Sequence, residues 1–251
     1  MSPKYWVPAL ERANIIIDVI AENPSKLRLI DISNKLDINK SSMYSLLNTL
    51  ETLGWVKKDR HETYTLGPVL GSFASAYYRQ FDILETFSVE AAKAIEVVDE
   101  HIQLGKRYDA EVFYLAREEG SSPARLVTDP GMRFPAHASA IGKIQLIKLS
   151  YEELLELFPE KDLPQKTENT VGHVDELWEQ LQVAKKNGYV VEEQEGAVGF
   201  CCVAAPIYNK DDQLTAGVSF TMLENNWTDK RELAAREIMK LAEQLSTNQT
   251  L

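Results

Sequence analysis

The chain has 251 residues, of which 44% are hydrophobic and 26% charged, and its formal net charge is −11. That length allows one large domain or a small module plus a medium one, and no apolar run approaches the roughly 20 residues needed to span a bilayer. The two cysteines, Cys201 and Cys202, are neighbours, which excludes a disulfide framework and any metal-finger spacing.

The acidic total is unevenly spread. Residues 1–70 carry nine Lys and Arg against eight Asp and Glu, a net of +1, so the remaining residues hold −12. A nucleic-acid partner is therefore open for the N-terminal part, because the local distribution on one face decides and not the sum. The N-terminus, MSPKYWVPALERANIIIDVI, lacks the apolar core and cleavage site of a signal peptide, so a cytoplasmic, reducing location is expected.

In chain order, Pro8 to Ala21 shows apolar residues at Leu10, Ala13, Ile16, Ile17 and Ile20, a helical spacing, with Pro8 suited to the first turn. A second helix fits Ile30 to Leu36. Asn39 is a good N-cap for a third helix, Lys40 to Leu53, which Gly54 closes. Past Gly54 the period becomes alternating. Trp55 to Lys58 and Thr63 to Leu66 flank Asp59-Arg60-His61-Glu62, which predicts a hairpin with a polar tip. Three helices and a terminal hairpin in this order describe a winged helix-turn-helix over residues 1–67.

Gly67-Pro68 punctuates the chain, and a helical pattern then runs from Val69 to about Asp99, first through Leu70, Phe73, Ala74, Tyr77 and Tyr78 and then from Ile83 to Val98, with residues 68–86 expected to link a second domain spanning 87–251. In that domain His101 to Tyr108 and Glu111 to Arg117 predict a hairpin, and Arg125 to Thr128 a short strand. Ala138 to Lys148, Tyr151 to Phe158 and Val174 to Asn187 are helical patterns. Tyr189 to Glu193 is a strand, Phe200 to Tyr208 and Leu214 to Met222 form another hairpin, and Lys230 to Leu245 is a last amphipathic helix. Hairpins separated by helices indicate an α+β fold with an antiparallel-rich sheet.

The third helix carries the sharpest functional signal. Met43, Leu46, Leu47, Leu50 and Leu53 form a core stripe, and opposite them lie Ser41, Tyr44, Ser45, Asn48 and Thr52. A merely solvated face more often carries Glu and Lys, which favour helix and solubility. Short hydrogen-bonding side chains in mid-helix cost propensity, and contact with base edges or phosphates supplies a reason for them. The second helix of a helix-turn-helix places its N-terminal residues in the major groove. Ser41, Ser42, Tyr44, Ser45 and Asn48 are thus the candidate DNA-contacting residues, with Arg28, Lys40, Lys57, Lys58 and Arg60 set to hold phosphates.

Other conspicuous residues have plainer readings. His137 is expected to be a hydrogen-bonded histidine at a helix entrance, and His173-Val174-Asp175 a surface turn. Cys201 and Cys202 read as small buried residues on a central strand, with no redox role established. Glu118-Glu119 and Glu192-Glu193 are not catalytic pairs, since adjacent strand residues face apart. The hydroxyls of Ser219 and Thr221 lack the elbow and base of a nucleophile. No catalytic residue, metal ligand or cofactor site emerges, and the chain is read as a non-enzyme.

The sequence resembles the IclR family of bacterial transcriptional regulators over nearly its whole length. The resemblance rests on VPALERANIIIDVIA (7–21), IDISNKLDINKSSMYSLLNTLETLGWV (30–56), YTLGP (64–68), VFYLAREEG (112–120), PAHASAIGK (135–143), GYVVEEQEGAVGFCCVAAPIYN (188–209) and AGVSF (216–220). It implies an effector-binding second domain with a GAF/PAS-like mixed sheet, homodimers or homotetramers on operator DNA, and a small organic acid as effector. It also implies an effector pocket at Ser139, Ala140 and Ile141, at Glu192, Phe200 and Cys202, and at Ser219 and Thr221. Cys201 stands where the family often has Arg. The competing reading is a metabolite sensor or enzyme whose winged helix serves protein interaction, and whether a regulator of this kind represses or activates stays open.

Overall fold

The helical period of the first third of the chain produces three helices: α1 (Pro8–Glu22), α2 (Leu29–Leu36) and α3 (Lys40–Thr52). The protein is seen here as a computed structural model, which describes residues 6–123 and 128–247 and divides into two units, residues 1–81 and 82–251. The core of the first unit is made where the stripes meet: Ile16 and Ile20 of α1, Ile32 of α2, and Met43, Leu47 and Leu50 of α3, closed by Val56 and Tyr64. Leu10 and Leu53, placed in the core stripes by their spacing, are 65% and 50% exposed. Leu10 sits in the first turn of α1, and Leu53 is the C-cap of α3, so neither has a turn of helix behind it to press it inward.

Asp37, at φ 51°, makes the sharp turn between α2 and α3, and Asn39 caps α3 by accepting from the Ser42 backbone N–H at 2.9 Å. Two strands follow, β1 (Val56–Lys58) and β2 (Tyr64–Leu66), paired antiparallel with Lys57 opposite Thr65. Their tip is tied by Asp59, whose carboxylate accepts from the backbone N–H groups of His61 and Thr63 and from the Thr63 hydroxyl. Those bonds to the ionised form hold the Asp59 carboxyl below its ordinary range. The apolar pattern from Val69 to Asp99 is two helices, α4 (Pro68–Tyr78) and α5 (Ile83–Val98). Phe81 and Ile83 carry the apolar rhythm across the break. At the break the chain tightens to three-residue bonds at Gln80 and Phe81.

The second unit is built on a six-stranded sheet of order β5-β4-β3-β8-β7-β6. Its strands are β3 (His101–Tyr108), β4 (Glu111–Glu118), β5 (Arg133–Pro135), β6 (Val190–Glu193), β7 (Phe200–Tyr208) and β8 (Leu214–Leu223), with every pairing antiparallel. β5 has too few residues for an alternation to show, and it is legible only as the partner of β4. Of the strand expected at 125–128, all but Thr128 lies outside the described residues.

Helices cover both faces. α5 and α9 (Glu224–Thr247) pack on one, while α6 (Ala140–Leu146) and α8 (Val174–Asn187) pack on the other, with α7 (Tyr151–Leu157) against α8. The helix expected from Ala138 to Lys148 is in fact a 3-10 turn, Ala136–Ala138, then Ser139 in extended backbone at φ −136°, then α6. The serine hydroxyl explains the restart, because it accepts from the Gly142 N–H at 3.1 Å and caps α6. Gly142 is required there, since a Cβ would stand 2.2 Å from the Ala136 carbonyl oxygen. α9 begins at Glu224 rather than Lys230. Its first turns offer only Trp227 as an apolar residue, so the period is hidden.

Candidate functional site

On α3 the exposed side is uncharged over most of its length: Ser41, Tyr44, Ser45 and Asn48 are all exposed, whereas Ser42 is half-buried on the flank. Several hydroxyls bond back to the helix. Ser45 donates to the Ser41 carbonyl at 3.1 Å, Thr49 to Ser45 and Thr52 to Asn48, while Ser41 donates to Asn39 Oδ1. A hydroxyl satisfied in this way keeps its acceptor lone pairs for a donor outside the helix. Arg28, Lys40, Lys57 and Arg60 are exposed. Lys58 differs: its ammonium pairs with Glu62 at 2.9 Å, which raises its pKa and already offsets its charge. Of the phosphate-holding residues expected from the sequence, Lys58 is thus ion-paired on the wing itself, and Arg60 Nε donates to His61 Nε2 at 3.2 Å.

The second unit contains a cavity of about 50 Å³ between the sheet and the start of α6. A water molecule needs roughly 10–15 Å³ on the same measure, so the space suits a ligand of a few heavy atoms. Ser139, Ala140, Ile141, Glu192, Phe200, Cys202, Ser219 and Thr221 all line it. Strand register explains how residues so far apart converge. Glu192 stands opposite Cys202, Cys202 opposite Thr221, and Ser219 opposite Gln103, so their side chains share the face under α6. Cys201 lies on the other face with the α9 layer and is not part of the cavity wall.

Several lining residues were not foreseen: Gln103, Tyr114, Thr128, Phe134, Ala138, Gly196 and Ala197. Gln103 had a signal, as the polar residue at the centre of the apolar strand IQL. Its amide donates to both oxygens of Thr128, at 3.0 Å to the carbonyl and 2.9 Å to the hydroxyl, and Thr221 donates to its carbonyl oxygen at 3.4 Å. Tyr114 is buried, and desolvation raises its phenol well above the ordinary value.

Glu192 is the ionisable carboxyl of the wall. One of its oxygens accepts from the backbone N–H groups of Glu195 and Gly196, the latter at 3.1 Å. Burial raises its pKa, and the Cys202 thiol beside it is raised too, chiefly by burial and then by the Glu192 charge. Beneath this wall lies a buried ion pair between Lys143 of α6 and Glu195, with Gln180 of α8 also accepting from Lys143 at 2.6 Å. Glu195 further accepts from the Val171 N–H at 3.1 Å. These bonds fix the turn that supplies Gly196 and Ala197 to the cavity. His137 is buried nearby with Nε2 on the Pro164 carbonyl at 2.9 Å, and burial lowers its pKa, which matches the expected hydrogen-bonded histidine. Among the described residues no group of His, Cys, Asp and Glu is placed to hold a metal ion, and no helix is long and apolar enough to cross a membrane.

Comparison with known proteins places both units. The model of the bacterial transcriptional regulator IclR C-terminal domain matches residues 75–247, and that of the IclR helix-turn-helix domain matches residues 9–60. The HTH-type transcriptional repressor AllR of Escherichia coli (strain K12) is 27% identical over 233 residues, covering 92% of this chain and 86% of that protein. The HTH-type transcriptional regulator KdgR of Dickeya chrysanthemi is 25% identical over 213 residues, 84% of this chain and 70% of its own length. Among solved structures, the IclR of Thermotoga maritima superposes with a TM-score of 0.78 at 26% identity, covering 96% of this chain and 98% of that one. An IclR homolog from Microbacterium hydrocarbonoxydans, complexed with 4-hydroxybenzoate, shares the fold at a TM-score of 0.80 and 21% identity, covering 95% of this chain and 98% of that one.

Proposed function

The chain belongs to the IclR family of bacterial transcriptional regulators, and on that premise we propose that it grips operator DNA with its first unit and senses a small organic acid in the cavity of its second. The observation that carries the DNA reading is the exposed, uncharged face of α3, bounded by exposed cations. Ser41, Tyr44, Ser45 and Asn48 meet base edges or phosphates in the major groove, with Ser42 at their flank. Lys40, Arg28, Lys57 and Arg60 hold the backbone on either side, and Lys58 contributes less while Glu62 occupies it. Two copies present two such helices to a pseudo-palindromic site.

The cavity takes the effector. Its volume favours a short acid over a bulky one, and Ser139, Ser219, Thr221 and Gln103 offer it hydrogen bonds. Residues 68–86 couple the two units in the chain, and the acid regulates only if it binds the DNA-competent and incompetent states with different affinity. Repression is the favoured outcome, on the likeness to AllR, which is named a repressor. The protein thus acts as a cytoplasmic regulator and not as an enzyme.

A gel-shift titration of the full-length protein on duplex DNA flanking its own gene tests this reading. Binding that weakens steeply with salt, and less steeply after Lys57→Ala, is expected. Binding insensitive to salt, or absent from every fragment, would overturn it.

A further inference from the structure

The cavity wall poses an electrostatic problem for an acid. Among the described residues lining it there is no Lys, Arg or His, and the one acidic side chain there, Glu192, is only 3% exposed. Among the described residues the nearby cations are engaged elsewhere, with Lys166 lying over the Phe134 ring of the wall at 5.6 Å from its centroid. Lys143 of α6 is held by Glu195 and Gln180. Arg117 of β4 reaches only the Thr128 carbonyl, and it is paired with Glu119 and Asp129. Arg231 of α9 meets Glu193, which faces away from the cavity. The other titratable neighbours are neutral hydrogen-bonding groups: Cys202 and Cys201 of β7, Tyr114 of β4, and His137 ahead of α6. A ligand carboxylate beside an ionised Glu192 would set two like charges together in a desolvated space, and such a pair does not stay doubly ionised.

We infer, resting on the small-acid reading above, that a short monocarboxylate enters this cavity together with one proton, which resides between it and Glu192. The Cys202 thiol also hydrogen-bonds the Glu192 carboxyl, and the backbone bonds favour placing the proton on one of its oxygens. Its Oε1 is already an acceptor for the Glu195 and Gly196 N–H groups, a role that suits the carbonyl oxygen of a neutral carboxyl. Oε2 is then the oxygen that carries the hydrogen and donates it to the ligand carboxylate. The proton comes from solvent on binding and returns to it on release, and no bond other than this O–H is made or broken. The burial that disfavours an ionised Glu192 in the empty site acts in the same direction.

Affinity for the acid should accordingly be flat at low pH and fall as pH rises past the point where the empty site loses its proton. The limiting slope is about tenfold per pH unit. Isothermal titration of the full-length protein with pyruvate tests this between about pH 5.5 and about pH 9, in buffers of different ionisation enthalpy so that proton uptake is counted. Wild type should take up nearly one proton per pyruvate at the upper end. Glu192→Gln keeps the acceptor and supplies a permanent N–H donor, so it should bind pyruvate independently of pH and more tightly than wild type at the upper end. A merely disrupted wall would not gain affinity there. Pyruvate binding in wild type that is flat across the range, with no proton uptake, would overturn the proton coupling and leave the small-acid reading standing. No pyruvate binding by either protein at any pH, whether or not neutral pyruvamide binds, would overturn both.

Discussion

Replacing Lys143 by methionine should do more damage than any other single change that keeps side-chain volume in the second unit. The ammonium is fully buried, and Glu195, its partner, is 7% exposed. Burial pushes the lysine pKa down, and Glu195 opposes that shift. Lys143→Met leaves a desolvated carboxylate that still accepts from the Val171 N–H. Removing one member of such a pair costs about 3–5 kcal/mol, or roughly 6–20 °C in melting temperature for a unit of this size. The deficit belongs to the charged carboxylate and so shrinks towards acid pH, where protonation removes the unpaired charge. Thermal melts of wild type, Lys143→Met, Glu195→Gln and the double variant across pH check this. The double variant should recover much of the loss, since an amide still accepts from Val171. A Lys143→Met cost below about 1 kcal/mol would refute the view that this pair braces the cavity turn.

Further outcomes follow from the same structure. Gly142→Ala drives a Cβ to 2.2 Å from the Ala136 carbonyl oxygen and should prevent the second unit from folding, read as loss of its melting transition. Gly71→Ala in α4 meets nothing within 4 Å and should stabilise that helix by about 0.5–1 kcal/mol, seen as a small upward shift in denaturant midpoint. On DNA, Lys57→Ala should lower the slope of log K against log salt by about one, and Lys58→Ala by less. Glu62→Gln should steepen it, because it releases Lys58 from the 2.9 Å pair. Equal effects of the two lysine changes would contradict the assigned difference. Ser219→Ala should weaken a thermal shift by pyruvate, and an unchanged shift would remove Ser219 from the ligand's contacts.

Much of the fold was legible because its elements obey simple periods. The stripe at Met43, Leu47 and Leu50 and the Asn39 cap identify α3, and alternation identifies the hairpins at 101–118 and 200–223 within a residue or so. What escaped depends on contacts distant in sequence. The restart of the helix at Ala140 turns on a serine hydroxyl bonding three residues ahead, and a helical pattern cannot reveal that. β5 exists only because Glu111 to Phe113 offer it an edge. For the cavity, the residues named from the family resemblance do line one space. Gln103 and Tyr114 join them through register across β3, β4 and β8, which no local pattern specifies. The Lys143–Glu195 pair joins a helix to a turn far along the chain, and neither residue looks unusual where it stands in sequence.

The central claim is that a small acid and DNA are sensed by one molecule through a shared equilibrium. Anisotropy of labelled duplex from the region flanking the gene, titrated with full-length protein at fixed salt, measures it directly when repeated with pyruvate at a concentration that calorimetry shows to be saturating. Coupling of about 1–3 kcal/mol predicts a DNA affinity changed at least about fivefold by the acid, with the acid's affinity changed by the same factor when DNA is bound. Identical DNA affinity with the cavity empty and filled would contradict the account.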